Sequence, residues 1–165
     1  MQKLLGILLL FSVLLGCKKT EPASAETTGE ELAFNYQKLP QKTVINEKAT
    51  AIVETWEEFK ALNTSMDVLY KATNNEDLSL AIDDLIEKEK AMEAGQYPEL
   101  FDTFQVKSRQ MVLRTYLYKT KAAILEKQPT TEPAVQMLDA YNAMRKQLNV
   151  IISSQFDVKL ILDEE

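Results

Sequence analysis

The sequence predicts an all-α protein, an up-down-up-down four-helix bundle that follows a flexible N-terminal segment. From residue 43 to the C-terminus, apolar residues recur at spacings of three and four along four successive segments, as in helices that bury one face. Connections of only a few residues join the segments, so neighbouring helices should run antiparallel. We expect the bundle to span residues 43–165, with helices at about 43–73, 77–94, 103–127 and 132–155.

The first two predicted helices are defined mainly by their apolar stripes. The stripe of helix 43–73 consists of Ile45, Ala49, Ile52, Trp56, Phe59, Met66 and Tyr70. The sequence "NNED" then interrupts the pattern, and either Asn75 or Asp77 is expected to cap the second helix. Gly95 is expected to end this helix in a left-handed conformation. The apolar face of the second helix consists of Leu78, Ile82, Leu85 and Met92.

The third and fourth predicted helices have start signals of their own. Asp102, with Gln105 three residues later, matches a capping box that opens helix 103–127. Pro133 fits the first turn of helix 132–155. After residue 155, "FDVKLIL" alternates like a strand, but the chain offers no second strand, so we favour a helix or a docked tail.

The N-terminus combines a short apolar run with the only cysteine of the chain. Lys3 precedes an apolar run from Leu4 to Leu15, too short to cross a hydrocarbon layer of about 30 Å as a helix but typical of an export signal. The residues from Leu14 to Cys17 resemble the lipobox of bacterial lipoproteins, and the resemblance covers residues 1–17 only. It implies that the signal peptide, residues 1–16, is removed, and that Cys17 receives a diacylglyceryl thioether and usually an amino-terminal acyl chain. Two or three acyl chains make release from a membrane slow.

The residues after Cys17 bear on localisation. Lys18, not an aspartate, follows the cysteine, which in Gram-negative lipoproteins implies delivery to the outer membrane. The start "CKK" is similar to that of many Bacteroidota lipoproteins, whose surface-export signals are rich in acids just after the cysteine. Here the first acids are the isolated Glu21 and Glu26. The resemblance therefore implies an outer-membrane lipid anchor, with the periplasmic face favoured over the cell surface.

Residues 17–42 are expected to connect the anchor to the bundle. The first half, "KKTEPASAETTGEE" after Cys17, is too polar to bury enough apolar surface to order itself. The second half contains four large apolar residues that either dock across the bundle as an extended strap or stay mobile, and the sequence leaves both possibilities open. These residues are Leu32, Phe34, Tyr36 and Leu39.

Composition argues against most catalytic classes. The chain has no histidine, so the commonest general base and the commonest transition-metal ligand are both missing. Acylation of Cys17 would leave no thiol, and we find no nucleophile elbow or phosphate-binding glycine loop. Asp83, Asp84 and Glu87 lie close together but lack the spacing of a calcium loop. A net charge of −6 disfavours nucleic acid. We therefore predict no enzyme activity, no cofactor and no metal.

Three charged residues fall on or beside inward-facing stripes. Glu89 follows Ile82 and Leu85 in register, and Arg145 follows Tyr141, while Arg109 lies beside the inward stripe of the third helix. A buried charge is costly unless it is paired, so Glu89 with Arg145 or Arg109 is a candidate buried polar cluster. Such a cluster would form the floor of a pocket for a charged ligand. We favour the alternative, in which each side chain reaches solvent along an apolar stem.

A second candidate site lies on the outer surface of the third helix. Tyr118 falls off the inward stripe of this helix, between Arg114 and Lys121. An exposed tyrosine flanked by cations is typical of protein interfaces, so these three residues are a candidate partner-binding surface.

Two functions remain open from the sequence. The first is a lipid-anchored interaction or scaffold module that presents a helix face to another envelope protein, and we favour it because no inward polar constellation is convincing. The second is a small-ligand binding or sensing bundle in the periplasm. A binding bundle should contain a cavity lined by polar or aromatic residues, whereas a scaffold should be solid inside and carry an exposed apolar face.

Overall fold

The computed structural model describes the backbone of residues 34–162 and the side chains of residues 34–155. The predicted signal peptide 1–16, the predicted lipidation site Cys17 and the linker through residue 33 lie outside the described residues. Within them the fold is all-helical and has no strand, as the sequence predicts. The helices are α1 (Glu47–Val53), α2 (Glu57–Leu69), α3 (Asn75–Ala94), α4 (Phe104–Leu125) and α5 (Thr131–Leu162).

The four long helices pack as a bundle around one apolar core. Helices α2 and α3, α3 and α4, and α4 and α5 pack against each other in sequence order, and the short α1 lies on α5. The largest side chains of the core are fully buried and come from all four long helices and their connections. They include Trp56, Phe59, Met66, Ile82, Met92, Phe101, Leu113 and Tyr141.

The structure replaces the predicted first helix, residues 43–73, with an extended segment and two helices. Asn46 caps α1, since its side chain accepts a hydrogen bond from the Ala49 N–H at 2.7 Å. The chain then leaves the helix at Trp56, whose backbone is extended and whose ring is buried against Phe59 at a centroid distance of 5.3 Å. The apolar stripe continues through this break because both sides of the break face the same core.

The helix ends also differ from the predicted ones. The side chain of Asn74, not of Asn75 or Asp77, caps α3 by accepting from the Asp77 N–H at 2.8 Å. Thr103 caps α4 in place of Asp102, whose carboxylate pairs with a lysine one turn into the helix. Gly95 ends α3 with φ −82° and is not left-handed.

Gly95 lies next to a side chain of α2. A Cβ atom at this position would come within 2.6 Å of the Glu58 Oε1 atom. This atom is the end of a flexible glutamate side chain that can move aside, so the contact does not by itself require glycine here.

Residues 34–46, which we call the strap, dock on the bundle. Phe34 is buried, and the Tyr70 hydroxyl donates to the Pro40 carbonyl oxygen at 3.0 Å. Asn142 and Asn149 on α5 each bind the strap backbone through both ends of their amides, at 2.7 to 2.9 Å. These side chains satisfy strap groups much as a neighbouring strand would. The docked strap decides the question that the sequence left open.

The C-terminal segment continues α5 as a helix through Leu162. Its alternating pattern therefore does not produce a strand. Among the described residues, no helix has the length and apolar character needed to cross a bilayer.

Candidate functional site

A buried glutamate on α3 lies at the centre of the first polar cluster. Glu89 is fully buried, and its two carboxylate oxygens accept hydrogen bonds from Nε and Nη2 of Arg114 on α4, both at 2.8 Å. Gln110 Nε2 donates to Glu89 Oε1 at 2.9 Å, and the Tyr97 hydroxyl donates to Gln110 Oε1. We call these four residues the Glu89 cluster. The buried carboxylate has both a cation and a neutral donor, so its charge is compensated.

The electrostatics of the Glu89 cluster shift the pKa values of two of its members, Arg114 and Tyr97. Hydrogen bonds to Glu89 and then Glu93, whose Oε2 atom lies 2.7 Å from Nη2, raise the pKa of Arg114. Burial raises the pKa of Tyr97, although its hydrogen bond with Gln110 has the opposite effect. Both shifts favour the protonated forms of Arg114 and Tyr97, which are the forms that donate these hydrogen bonds.

An open cleft of about 760 Å³ lies beside the Glu89 cluster, where α3 ends and α4 begins. Tyr97, Gln110 and Arg114 contribute to its walls, and so do the apolar side chains of Phe104 and Met111. The cleft combines exposed apolar surface with charged side chains that are already paired. Such a surface suits a protein side chain better than a small ion.

The second buried charge, Arg145 on α5, has a different environment. Only 7% of it is exposed. Its Nε atom donates to the Thr43 carbonyl oxygen at 2.5 Å, and Nη1 donates to Asn63 Oδ1 at 2.7 Å and to the Tyr141 hydroxyl at 3.0 Å. The Tyr141 hydroxyl in turn donates to Asn63 Oδ1 at 2.7 Å. We call Thr43, Asn63, Tyr141 and Arg145 the Arg145 cluster.

Burial raises the pKa of Tyr141 to about 12, although the charge of Arg145 lowers it. The phenol is therefore neutral over the physiological range and acts as a hydrogen-bond donor to Asn63. The guanidinium group also lies over the tyrosine ring, with 5.4 Å between Cζ and the ring centroid. Neither contact supplies a negative charge to Arg145.

The predicted cluster of Glu89, Arg109 and Arg145 does not form. Glu89 and Arg145 are both buried, as their registers indicate, but each belongs to a separate cluster. Arg109 is exposed. Arg114 pairs with Glu89 because Gln110 and Arg114 lie one helical turn apart and both reach towards α3. Arg145 instead reaches the strap and α2.

Of the three residues of the predicted partner surface, Tyr118 is exposed, but Arg114 and Lys121 are engaged in ion pairs. Tyr118 is exposed, with Lys90 Nζ 6.0 Å from its ring centroid. Arg114 is committed to Glu89 and Glu93, and Lys121 Nζ lies 2.6 Å from Asp83 Oδ1. The cations on this side of Tyr118 therefore link α4 to α3, and the tyrosine belongs to a different feature of α4.

That feature is a row of exposed apolar side chains along α4. Phe104, Met111, Tyr118 and Leu125 follow one another at intervals of seven residues, and their exposed fractions are 78%, 51%, 44% and 69%. We call these four residues the α4 seam. Small or short polar side chains, Ser108, Thr115 and Ala122, alternate with them. The row supplies one of the two apolar positions per heptad by which helices pair in coiled coils, and Ser108, Thr115 and Ala122 occupy the other.

The α4 seam is visible in the sequence as a second apolar stripe, which a prediction based only on the buried face of each helix does not include. The exposed row and the buried residues lie on opposite sides of one helix, so α4 is apolar on two faces. Its hydrophobicity then lacks a single direction, and the search for one buried stripe finds only the inner one.

Other groups in the described part of the chain offer less chemistry. No cluster of three or more acidic, histidine or cysteine side chains within it is placed to hold a metal ion. Trp56 Nε1 is buried without a hydrogen-bond partner in this part of the chain. Its ring stacks among Phe59, Tyr97 and Phe101, so the tryptophan serves packing.

Comparison of the chain with protein families, curated proteins and solved structures finds no match. The geometry of its own residues therefore carries the functional argument.

Proposed function

We propose that this protein is a lipid-anchored lipoprotein of the cell envelope, and that its helical bundle is a non-enzymatic interaction module. In this proposal Cys17 carries the acyl chains, the outer membrane is the anchoring membrane, and the bundle faces the periplasm. The α4 seam is the docking surface for a helix of another envelope protein. The observation that carries the proposal is the seven-residue repeat of exposed apolar side chains on α4.

The exposure of the α4 seam supports docking over a purely structural role. Phe104 and Leu125 are each more than two-thirds exposed, and the seam extends along the whole 22-residue helix. A row of large exposed apolar side chains along one helix favours an interaction site, because single exposed apolar residues on a monomer are usually scattered. A partner helix with apolar residues at the same period would bury the seam along its full length.

Charge identifies the kind of partner helix. Helix α4 contains five cations, Lys107, Arg109, Arg114, Lys119 and Lys121, and no acid, in a chain whose acids outnumber its cations by 25 to 19. Arg109 and Lys119 are exposed and have no ion pair with a described residue. An acidic helix would gain attraction from this basic surface, so we expect acidic residues beside the apolar stripe of the partner.

The tether and the docking surface have separate roles in this proposal. The acidic bundle would be repelled by anionic lipid, so the anchor at Cys17 supplies the membrane contact. Confinement near the membrane raises the effective concentration of the module towards other envelope proteins. A weak helix-to-helix contact then suffices for partner recognition.

Site-specific photo-crosslinking in intact envelopes tests the docking surface. A photo-reactive amino acid is introduced one position at a time into the full chain, at Met111, Thr115 and Tyr118 on the seam side of α4. The matched controls are Gln105, Val112 and Lys119, which are exposed on the same helix but lie away from the seam. We expect one discrete heterologous product from the seam positions and little from the controls, because a docked helix contacts a single face.

Two results would contradict the proposal. Equal crosslinking from seam and control positions would mean that α4 has no preferred contact face. A product of twice the mass of this chain would show self-association in place of a different partner. The anchor is tested separately: we expect Cys17→Ser to abolish labelling by a radioactive fatty acid, and retained labelling would disprove acylation at this residue.

A further inference from the structure

A small cavity lies between the strap, α1, α2 and α5. Its volume is about 250 Å³, below the roughly 300 to 1,000 Å³ of most ligand pockets. Apolar side chains of Ile45, Val53 and Phe59 form part of its wall, and polar groups of Asn63 and Arg145 form another part. The lining is nearly as polar as it is apolar, and Arg145 is its buried cation.

The guanidinium group of Arg145 has hydrogen-bonding capacity that the protein does not use. Arginine has five N–H donors. Three of them bind Thr43, Asn63 and Tyr141, through Nε and Nη1. Nη2 makes no hydrogen bond with any described residue, and it is not completely buried. Because Arg145 lines the cavity, this nitrogen is available to a molecule inside it.

The charge of Arg145 also lacks a partner. Among the described residues, no carboxylate lies within 4.0 Å of its nitrogens, although it is more than nine-tenths buried. Two acids could be considered as counter-charges, but neither pairs with Arg145. Asp67 pairs with Lys42, and Glu54 is exposed at the cavity wall. A buried cation is costly without a compensating anion.

We infer that this cavity binds a small carboxylate with a short apolar chain. The carboxylate accepts hydrogen bonds from Arg145 Nη2, which supplies the missing counter-charge. The apolar chain lies against Ile45, Val53 and Phe59. Residues 42–45 of the strap contribute to the wall of the cavity, so the strap contacts the ligand. This site is independent of the α4 seam, which lies on a different helix.

The test uses the full chain in mild detergent, with sodium butyrate as the probe and butan-1-ol as its uncharged counterpart. Binding is followed by calorimetry and by the NMR shift of the Arg145 Nε–H signal. We expect saturable butyrate binding with Kd at or below about 1 mM, and at least about tenfold weaker binding of the alcohol. No saturable signal up to about 10 mM butyrate, or equal binding of the alcohol, would overturn the proposal.

Variants separate the ligand contact from strap docking. Arg145→Met removes the cation, and we expect it to weaken butyrate binding at least about tenfold. Asn149→Ala is the control, because it removes two strap hydrogen bonds but does not line the cavity. Because it loosens the strap at Val44 but keeps the cation, it should weaken butyrate binding less than Arg145→Met does. Equal weakening by the two variants would overturn the contact with the guanidinium group.

Unchanged butyrate binding by Arg145→Met would place the ligand elsewhere and overturn the site. Circular dichroism shows whether this variant folds. If it does not fold, Arg145→Lys replaces it, because lysine keeps the charge but lacks the second nitrogen of the fork. Equal binding by Arg145→Lys and the unchanged chain would then overturn the role of Nη2.

Discussion

The two buried charges of this protein, Glu89 and Arg145, have opposite electrostatic environments. Glu89 is paired with Arg114 through both carboxylate oxygens and receives a further hydrogen bond from Gln110. Arg145 has only neutral partners, the oxygens of Thr43, Asn63 and Tyr141. The first environment is complete without a ligand, while the second retains one free nitrogen and an uncompensated charge. Burial alone therefore does not distinguish a structural charge from a binding site, but the completeness of its partners does.

The largest expected effect is at the complete site. Arg114→Met leaves the buried carboxylate of Glu89 without its cation, so we expect the free energy of unfolding to fall by about 3 kcal/mol at pH 7. This is the low end of the range for a buried pair, because 27% of the Arg114 side chain is exposed. Urea denaturation measures the change.

A double variant distinguishes lost attraction from an orphaned charge. Arg114→Met combined with Glu89→Met removes both charges, and we expect it to recover part of the loss, since paired charges and apolar replacements are often of similar stability. A double variant less stable than Arg114→Met alone would show that Glu89 stabilises the fold without its cation, for example through Gln110, and would contradict the penalty for an orphaned charge.

The next largest effect is at high pH and belongs to the Arg145 cluster. The pKa of Tyr141 is raised to about 12 in the folded protein by burial, against about 10 in the unfolded chain. The folded state thus holds this proton more tightly, so stability is fully present below pH 10 and is lost as the pH rises towards 12. We expect a loss of roughly 2 to 3 kcal/mol from this group.

Tyrosine variants on the two clusters make that test a comparison. Burial also raises the pKa of Tyr97 in the Glu89 cluster, but Tyr97 is half-buried while Tyr141 is fully buried. We therefore expect the free energy of unfolding, measured from pH 9 to pH 12, to depend less on pH in Tyr141→Phe than in Tyr97→Phe. A weaker pH dependence in Tyr97→Phe than in Tyr141→Phe would contradict the proposed importance of burial depth.

A smaller effect is expected from Arg145 itself. Arg145→Met removes three hydrogen bonds, including the one to the strap, but leaves no buried carboxylate unpaired. We expect a loss of about 1 to 2 kcal/mol, comparable to Asn142→Ala, which removes two strap hydrogen bonds. A loss as large as that of Arg114→Met would mean that Arg145 compensates a charge which the described contacts do not show.

The helical period explains which part of this comparison the sequence predicts. The favoured expectation that the Glu89 and Arg145 side chains reach solvent is wrong, because each finds hydrogen-bond partners inside the fold. The helical pattern does place both residues on inward faces, in register with apolar neighbours. Their partners do not follow from it, because a register assigns a residue to a face but does not give the height or rotation of one helix against another. Arg114 rather than Arg109 reaches Glu89 for this reason.

The same limitation explains the errors in the fold. The stripe through Ile52, Trp56 and Phe59 has helical spacing, yet the chain leaves the helix at Trp56. Both short helices face one core, so the pattern of apolar residues is continuous where the backbone is not. Strap docking likewise depends on Asn142 and Asn149, whose side chains bind main-chain groups of the strap. Every residue has these main-chain groups, so the strap sequence contains no pattern that predicts the contacts.

The smallest expected effect is at Arg109, the matched control for Arg114. The two arginines lie on the same helix, but Arg109 is exposed and forms no ion pair with a described residue. We expect Arg109→Met to change the free energy of unfolding by less than about 0.5 kcal/mol, because its guanidinium group is hydrated in both states. Urea denaturation beside Arg114→Met measures the difference. A loss above about 1 kcal/mol would show that the buried carboxylate of Glu89 depends on the net charge of α4 and not on the paired guanidinium group alone. The difference between the Glu89 and Arg145 clusters would then depend on long-range charge as well as on contacts.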